Sequence, residues 1–189
     1  MSTPTSQLPP SSPPDIRIQM VSDPTYLSGA RDLVAAVARR LGFSEEGCGQ
    51  IALAVDEALC NVIRHGYERR KDGLIWISLW PLAADNGTGP GIRIVLEDEA
   101  KQVDPCQIKS RNLDEVRPGG LGVHIIQQVM DEATYEKREK AGMRLTLVKR
   151  RSTESVGAGT ECCPPGGRSR APGPGSAKDG GTRRGKNRG

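Results

Sequence analysis

Glu57, Asn61 and His65 stand four residues apart. At about 100° per residue, this spacing stacks a carboxylate, an amide and an imidazole along one border of a helix. Ile51, Val55, Ala58, Leu59 and Val62 make the apolar stripe beside them. Polar groups at the edge of a buried face are costly unless each finds a partner, so the border is either solvated or directed at a ligand. Asp98 is a second candidate. It shares a strand face with Ile94 and Leu96 by the two-residue period, which turns a carboxylate toward the core. Its donor is either the exocyclic amine of an adenine or, more simply, a neighbouring backbone N–H. A third candidate is Gly119-Gly120-Leu121-Gly122, which opens a helix. Free N–H groups at such an end favour phosphate, and glycines allow close backbone approach.

The elements that must position these groups follow from pattern. Asp15 to Val21 alternates as a half-buried strand. Ser22-Asp23-Pro24 opens a helix to about Leu41, with Gly42 as its stop. Ser44 starts the helix of Glu57 and Asn61. Gly66 is expected to end it with a positive φ. Leu74 to Leu82 and Ile92 to Asp98 form a hairpin across a Gly- and Asn-rich turn. Residues 99–118 lack periodicity and read as a lid-like loop. A helix through Met130 and two strands, Glu132 to Arg138 and Gly142 to Lys149, complete the chain. The predicted fold is α+β: a two-layer sandwich with helices on one face of a mostly antiparallel mixed sheet.

The 189 residues suit one domain with tails. The domain is expected over 14–150, between a Ser/Thr/Pro-rich tail of residues 1–13 and a Gly/Pro/Arg-rich tail of residues 151–189, both disordered and dispensable for folding. The net charge of +4 belongs to the second tail, where eight Lys or Arg outnumber three Asp or Glu. The rest is close to neutral, which argues against a nucleic-acid partner. The tail has no aromatic residue for base stacking and reads first as a solubilising extension. The start lacks the apolar stretch of a signal peptide, and no run approaches the roughly 20 apolar residues that span a bilayer. A cytoplasmic protein without membrane contact is expected.

Several chemistries are absent from the sequence. The five cysteines form no C-x-x-C pair and no metal-ligand spacing with the two histidines. Walker A, G-x-G-x-x-G, H-R-D and D-F-G motifs do not occur. Only about fifty residues precede Glu57, and these are filled by a strand and a helix, so the helical hairpin of a sensor histidine kinase does not fit.

Taken together, the pieces resemble the histidine-kinase-type (GHKL, Bergerat-fold) ATPases, most closely the small anti-sigma-factor serine kinases. Glu57-Ala58-x-x-Asn61-x-x-x-His65-Gly66-Tyr67 resembles their N box. Asp98 through Pro105 resembles the box D-x-G-x-x-F-D-P, with Ala100 at the glycine and Val103 at the phenylalanine. Arg117 through Ile126 resembles the glycine box after the ATP lid, and Leu145 to Lys149 the final strand. The resemblance spans roughly 15–150 with the boxes in order.

That resemblance implies roles. Glu57 would be the general base and Asn61 a ligand of Mg²⁺. Asp98 would receive the adenine amine, with Ala100 and Val103 in the same nucleotide box. Gly119, Gly120, Leu121 and Gly122 would cradle phosphate, and Thr146 would complete the adenine site. The implied activity is ATP-dependent phosphorylation of a serine on an anti-anti-sigma (STAS-type) partner, coupled to sigma-factor binding. A homodimer is also implied, with Trp76 and Trp80 on a sheet face that needs cover. Ala100 raises an alternative: if glycine is needed there for a positive φ or a close approach, nucleotide binding weakens, and the chain is a nucleotide-gated binding module without transfer.

Overall fold

The computed structural model describes residues 12–85, 88–108 and 121–151, all within one compact unit. Its elements follow the predicted order: β1 (Ile16–Val21), α1 (Leu27–Arg40), α2 (Glu45–Asn61), β2 (Leu74–Leu82), β3 (Gly91–Asp98), α3 (Leu121–Val129), β4 (Glu132–Lys137) and β5 (Met143–Arg150). The sheet runs β1-β2-β3-β5-β4. All four pairings are antiparallel, so the described sheet holds no parallel pair.

The strands form a sheet with one apolar face because side chains alternate across the pleat. Ile77 and Leu79 of β2 pair with Leu96 and Ile94 of β3, which pair in turn with Leu145 and Leu147 of β5, while Ile75 and Ile92 extend the same face. All are buried. The helices close this face with Val34 and Ala38 of α1, Ile51, Val55 and Leu59 of α2, and Ile126 of α3. Each fully buried Ile or Leu contributes about 1.5–3 kcal/mol, so this layer contact is the main source of stability.

Local chemistry sets the helix ends. Ser44 Oγ accepts from Gly47 N at 3.1 Å, and Glu45 and Glu46 place negative charge in the first turn of α2. Asp23 caps a 3₁₀ turn over Pro24–Tyr26 before α1 begins. Gly42 closes α1 with φ 82°.

The end of α2 departs from the prediction. Val62–Gly66 is a π turn, in which Tyr67 N reaches back five residues to Val62 O at 2.8 Å. Gly66 does not take a positive φ. The chain turns at Glu68 and Arg69, with φ of 52° and 68°. His65 lies within this turn and is exposed.

The domain edges also shift. Trp80 Nε1 donates to Ser12 O at 3.1 Å. Arg151 N donates to Pro90 O at 2.8 Å, and its guanidinium reaches the carbonyls of Leu41 and Gly42 beyond α1. Both residues fell in the predicted tails and both engage the domain, because extended backbone at a domain margin still has polar groups to pair. The remaining expectations for 1–11 and 152–189 lie outside the described residues. So do those for 109–118 of the loop and for Gly119 and Gly120.

Candidate functional site

The end of α2, the end of β3, the start of α3 and the strands β4 and β5 enclose a cavity of about 330 Å³. That lies within the range of small-molecule sites. Its wall is mainly apolar: Ala58, Val62, Leu96, Val103, Ile108, Val123, Met143 and Leu145. Polar groups enter at a few points: Asn61, His65, Asp98, Lys101, Gln107 and Tyr135.

Asp98 reaches this wall because strand alternation places it with Ile94 and Leu96, and β3 ends there. It is 4% exposed. Its Oδ1 accepts from Ala100 N at 2.8 Å and Met143 N at 3.2 Å. Burial pushes its carboxyl above the usual value of 3.8, against the opposing pull of those two N–H groups and of Arg138. The backbone donors that seemed the simpler partner are therefore present, and they fix the carboxylate from one side. Arg138 Nη1 adds a bond of 2.5 Å to the Asp98 carbonyl. Gly142, at φ 81°, lies so close to that carbonyl that any Cβ would collide with it.

Glu57 and Asn61 meet at the start of α3. A Cβ built on Gly122 would lie 2.6 Å from Glu57 Oε2 and 3.2 Å from Asn61 Nδ2. Two polar side-chain ends thus approach the open side of Gly122, and a Cβ there would displace the Glu57 carboxylate. Asn61 lines the cavity, while Glu57 lies at the α2–α3 crossing beside it. Leu121 is exposed and does not line the cavity. Among the described residues no group of three His, Cys, Asp or Glu is placed to hold a metal ion by itself. The Asn61 amide oxygen is a single neutral donor, so a cation beside it would need most of its ligands from a bound molecule or water.

Ala100 is buried behind the cavity wall, with its N–H on Asp98 and its methyl against Gly66. It is not among the described residues with positive φ, so the left-handed conformation that would have demanded glycine is not used. Val103 lines the cavity, and Asp104 caps a 3₁₀ turn over Pro105–Gln107 through Cys106 N at 3.0 Å.

Thr146 is a correction. It pairs with Val95 and Thr134, on the sheet face opposite Leu145 and Leu147. It does not line the cavity. A shift of one residue along a strand changes face, and Met143 and Leu145 line the cavity where Thr146 does not. The signal that identifies them is register: Leu145 pairs with Leu96, two residues before Asp98.

Two residues without an assigned role also shape the site. Tyr67 Oη donates to Leu74 O at 2.5 Å and accepts from Glu99 N at 2.9 Å. It ties the π turn to the segment after Asp98. Tyr135 comes from β4, where composition alone carries no functional signal. Trp76 and Trp80, expected on a face that needs cover, are half-buried, and each donates its Nε1 within the chain. Trp76 Nε1 donates to Gln19 at 2.8 Å and the Arg138 guanidinium stacks 5.3 Å from its ring.

The sequence also matches proteins of known family. The histidine kinase-like ATPase domain matches residues 20–149. A serine-protein kinase RsbW of Listeria innocua is 30% identical over 138 residues, covering 69% of this chain and 85% of the relative. A serine-protein kinase RsbW of Staphylococcus epidermidis is 28% identical over 150 residues, covering 75% and 89%. A blue-light activated histidine kinase of Erythrobacter litoralis aligns with TM-score 0.41 at 19% identity, over 68% of this chain and 42% of that one. No helix among the described residues is long and apolar enough to cross a membrane. With two thirds of its length matched and the boxes gathered around one cavity, this chain belongs to the histidine kinase-like ATPase domain family.

Proposed function

We propose that this chain is an ATP-dependent protein serine kinase of the anti-sigma-factor type, which phosphorylates a serine on an anti-anti-sigma (STAS-type) partner and binds a sigma factor. The observation that carries the reading is the meeting of Glu57 and Asn61 at Gly122, at the opening of α3, beside a cavity that also holds the buried carboxylate of Asp98. The named relatives are serine-protein kinases.

In this reading Asp98 accepts the exocyclic amine of adenine, and the apolar wall around Leu96, Met143 and Leu145 packs the base. The start of α3 around Gly122 receives the phosphates on its N–H groups, and the resemblance gives Gly119 and Gly120, outside the described residues, the same role. Mg²⁺, held by Asn61 and the phosphates, would supply charge neutralisation during transfer. Glu57 takes the proton from the attacking serine hydroxyl as its oxygen bonds to the γ-phosphorus and the bond to the β-phosphate oxygen breaks. The glutamate is one helical turn from Asn61, so base and cation ligand act on the same end of the nucleotide.

The test is phosphate transfer from ATP to a serine of a purified STAS-type partner, followed by mass spectrometry, with nucleotide binding measured in parallel. Transfer supports the kinase. Tight ATP binding without transfer to any cognate partner would favour the nucleotide-gated binding module instead. That alternative rested on Ala100, whose methyl has a place against Gly66. Self-association as a homodimer belongs to the same proposal, and a monomer by light scattering at tens of micromolar, a concentration suited to transient interfaces, counts against it.

A further inference from the structure

Tyr135 lines the cavity, and its polar atom has no partner among the described residues. Its ring stands on β4 opposite Leu145 and lines the cavity. Its hydroxyl is buried and has no hydrogen-bond partner among the described residues. An unpaired buried hydroxyl is destabilising, and native chains retain one chiefly where something else completes it. The surroundings do not suit an ion. Desolvation alone pushes the phenol up to about 12, so at neutral pH the group is an uncharged O–H donor in apolar company. Its position is on the Asp98 side. Tyr135 pairs with Leu145, and two residues earlier on the same strand Met143 gives its N–H to Asp98. The phosphate-favouring end, at Gly122, is built instead from α2 and α3.

We propose that the Tyr135 hydroxyl is a specificity group of the cavity, donating a hydrogen bond to the nucleoside part of the bound nucleotide alongside the Asp98 carboxylate. The inference rests on the nucleotide reading and adds a second polar contact to a pocket otherwise read by shape. A neutral donor there selects an acceptor ring nitrogen or a sugar oxygen, both of which a charged group would serve less well in so dry a wall.

The test uses the full-length chain and its Tyr135→Phe variant, with ADP and ATP as probes in calorimetry and thermal melting of the free protein. Phenylalanine keeps the ring and removes only the unpaired hydroxyl. The free variant is expected to melt at the same temperature as wild type or higher, because no hydrogen bond among the described residues is lost. Its affinity for ADP and ATP is expected to fall by a common factor of about ten, the loss of one buried hydrogen bond to the ligand. Unchanged ADP affinity overturns the proposal and leaves the nucleotide site standing. A lower melting temperature overturns it too, since the hydroxyl then has a structural partner. A loss confined to ATP places the contact on the γ-phosphate and has the same consequence. If wild type binds neither nucleotide, the underlying reading falls together with it.

Discussion

The methyl group of Ala100 occupies the space that Gly66 leaves open: a Cβ on Gly66 would come within 2.8 Å of the Ala100 Cβ. Two small residues, one at the end of the α2 turn and one just beyond Asp98, thus share a single volume. Alanine at 100 is tolerated because glycine stands at 66. Gly66→Ala is expected to overpack this contact, at a cost of about 1–3 kcal/mol, and to weaken nucleotide binding through displacement of the Asp98–Ala100 turn. The double variant Gly66→Ala/Ala100→Gly restores one methyl to the shared space and should recover most of that loss. Chemical denaturation of the four proteins gives the coupling. Additive effects of the two substitutions would show that the contact is not shared.

Asp98 sets a pH dependence. Its folded carboxyl lies above 3.8 because it is buried, so the folded chain holds that proton more tightly than the unfolded chain. Stability owed to this group is present at low pH and declines as pH rises from 3.8 through the raised value. If Asp98 receives adenine as proposed, nucleotide binding runs the other way, since the exocyclic amine is best met by the ionised acceptor. Affinity for ADP is expected to fall with acid at a pH above that of an ordinary aspartate. Asp98→Asn should bind weakly at every pH, losing a charged hydrogen bond of about 1.5–3 kcal/mol. The variant should still fold, because an amide oxygen can accept from Ala100 N and Met143 N as the carboxylate does. Calorimetry across pH checks both statements. Equal affinities for wild type and variant would remove adenine from this carboxylate.

Glu57→Gln separates binding from transfer. Glutamine keeps the size and a hydrogen-bonding oxygen beside Gly122 but cannot take up a proton. Nucleotide affinity should stay within about twofold, while phosphate transfer falls at least a hundredfold, the lower end of general base catalysis. Undiminished transfer by the variant would rule Glu57 out as the base.

Gly142 is expected to be the least replaceable glycine near the cavity. It combines a φ of 81° with a backbone so close to the Asp98 carbonyl that a methyl has no room. Gly142→Ala should cost more than about 2 kcal/mol, from left-handed strain together with displacement of the β4–β5 turn. Urea denaturation measures the stability, and ADP titration the accompanying loss of affinity. Unchanged values for both would mean that the turn relaxes freely and does not support Asp98.

Local chemistry made much of this legible in the residues alone. Period-two alternation placed Asp98 on the core face of β3, and the helical period put Glu57 and Asn61 on one border of α2, because both depend on nearest neighbours along the chain. Ser44 and Gly42 marked helix ends for the same reason. What pattern does not encode is distance between elements. Whether Ala100 impairs the site depended on the space beside Gly66, which comes from the packing of the α2 turn against the segment after Asp98. The face of Thr146 depended on the register of β5 against β3, where one residue decides between cavity and opposite surface. The π turn at the end of α2 leaves no composition signal, and Tyr135 acquires its meaning only once β4 lies at the sheet edge beside β5. These contacts join residues remote in the chain, and their geometry is set by the folded layers.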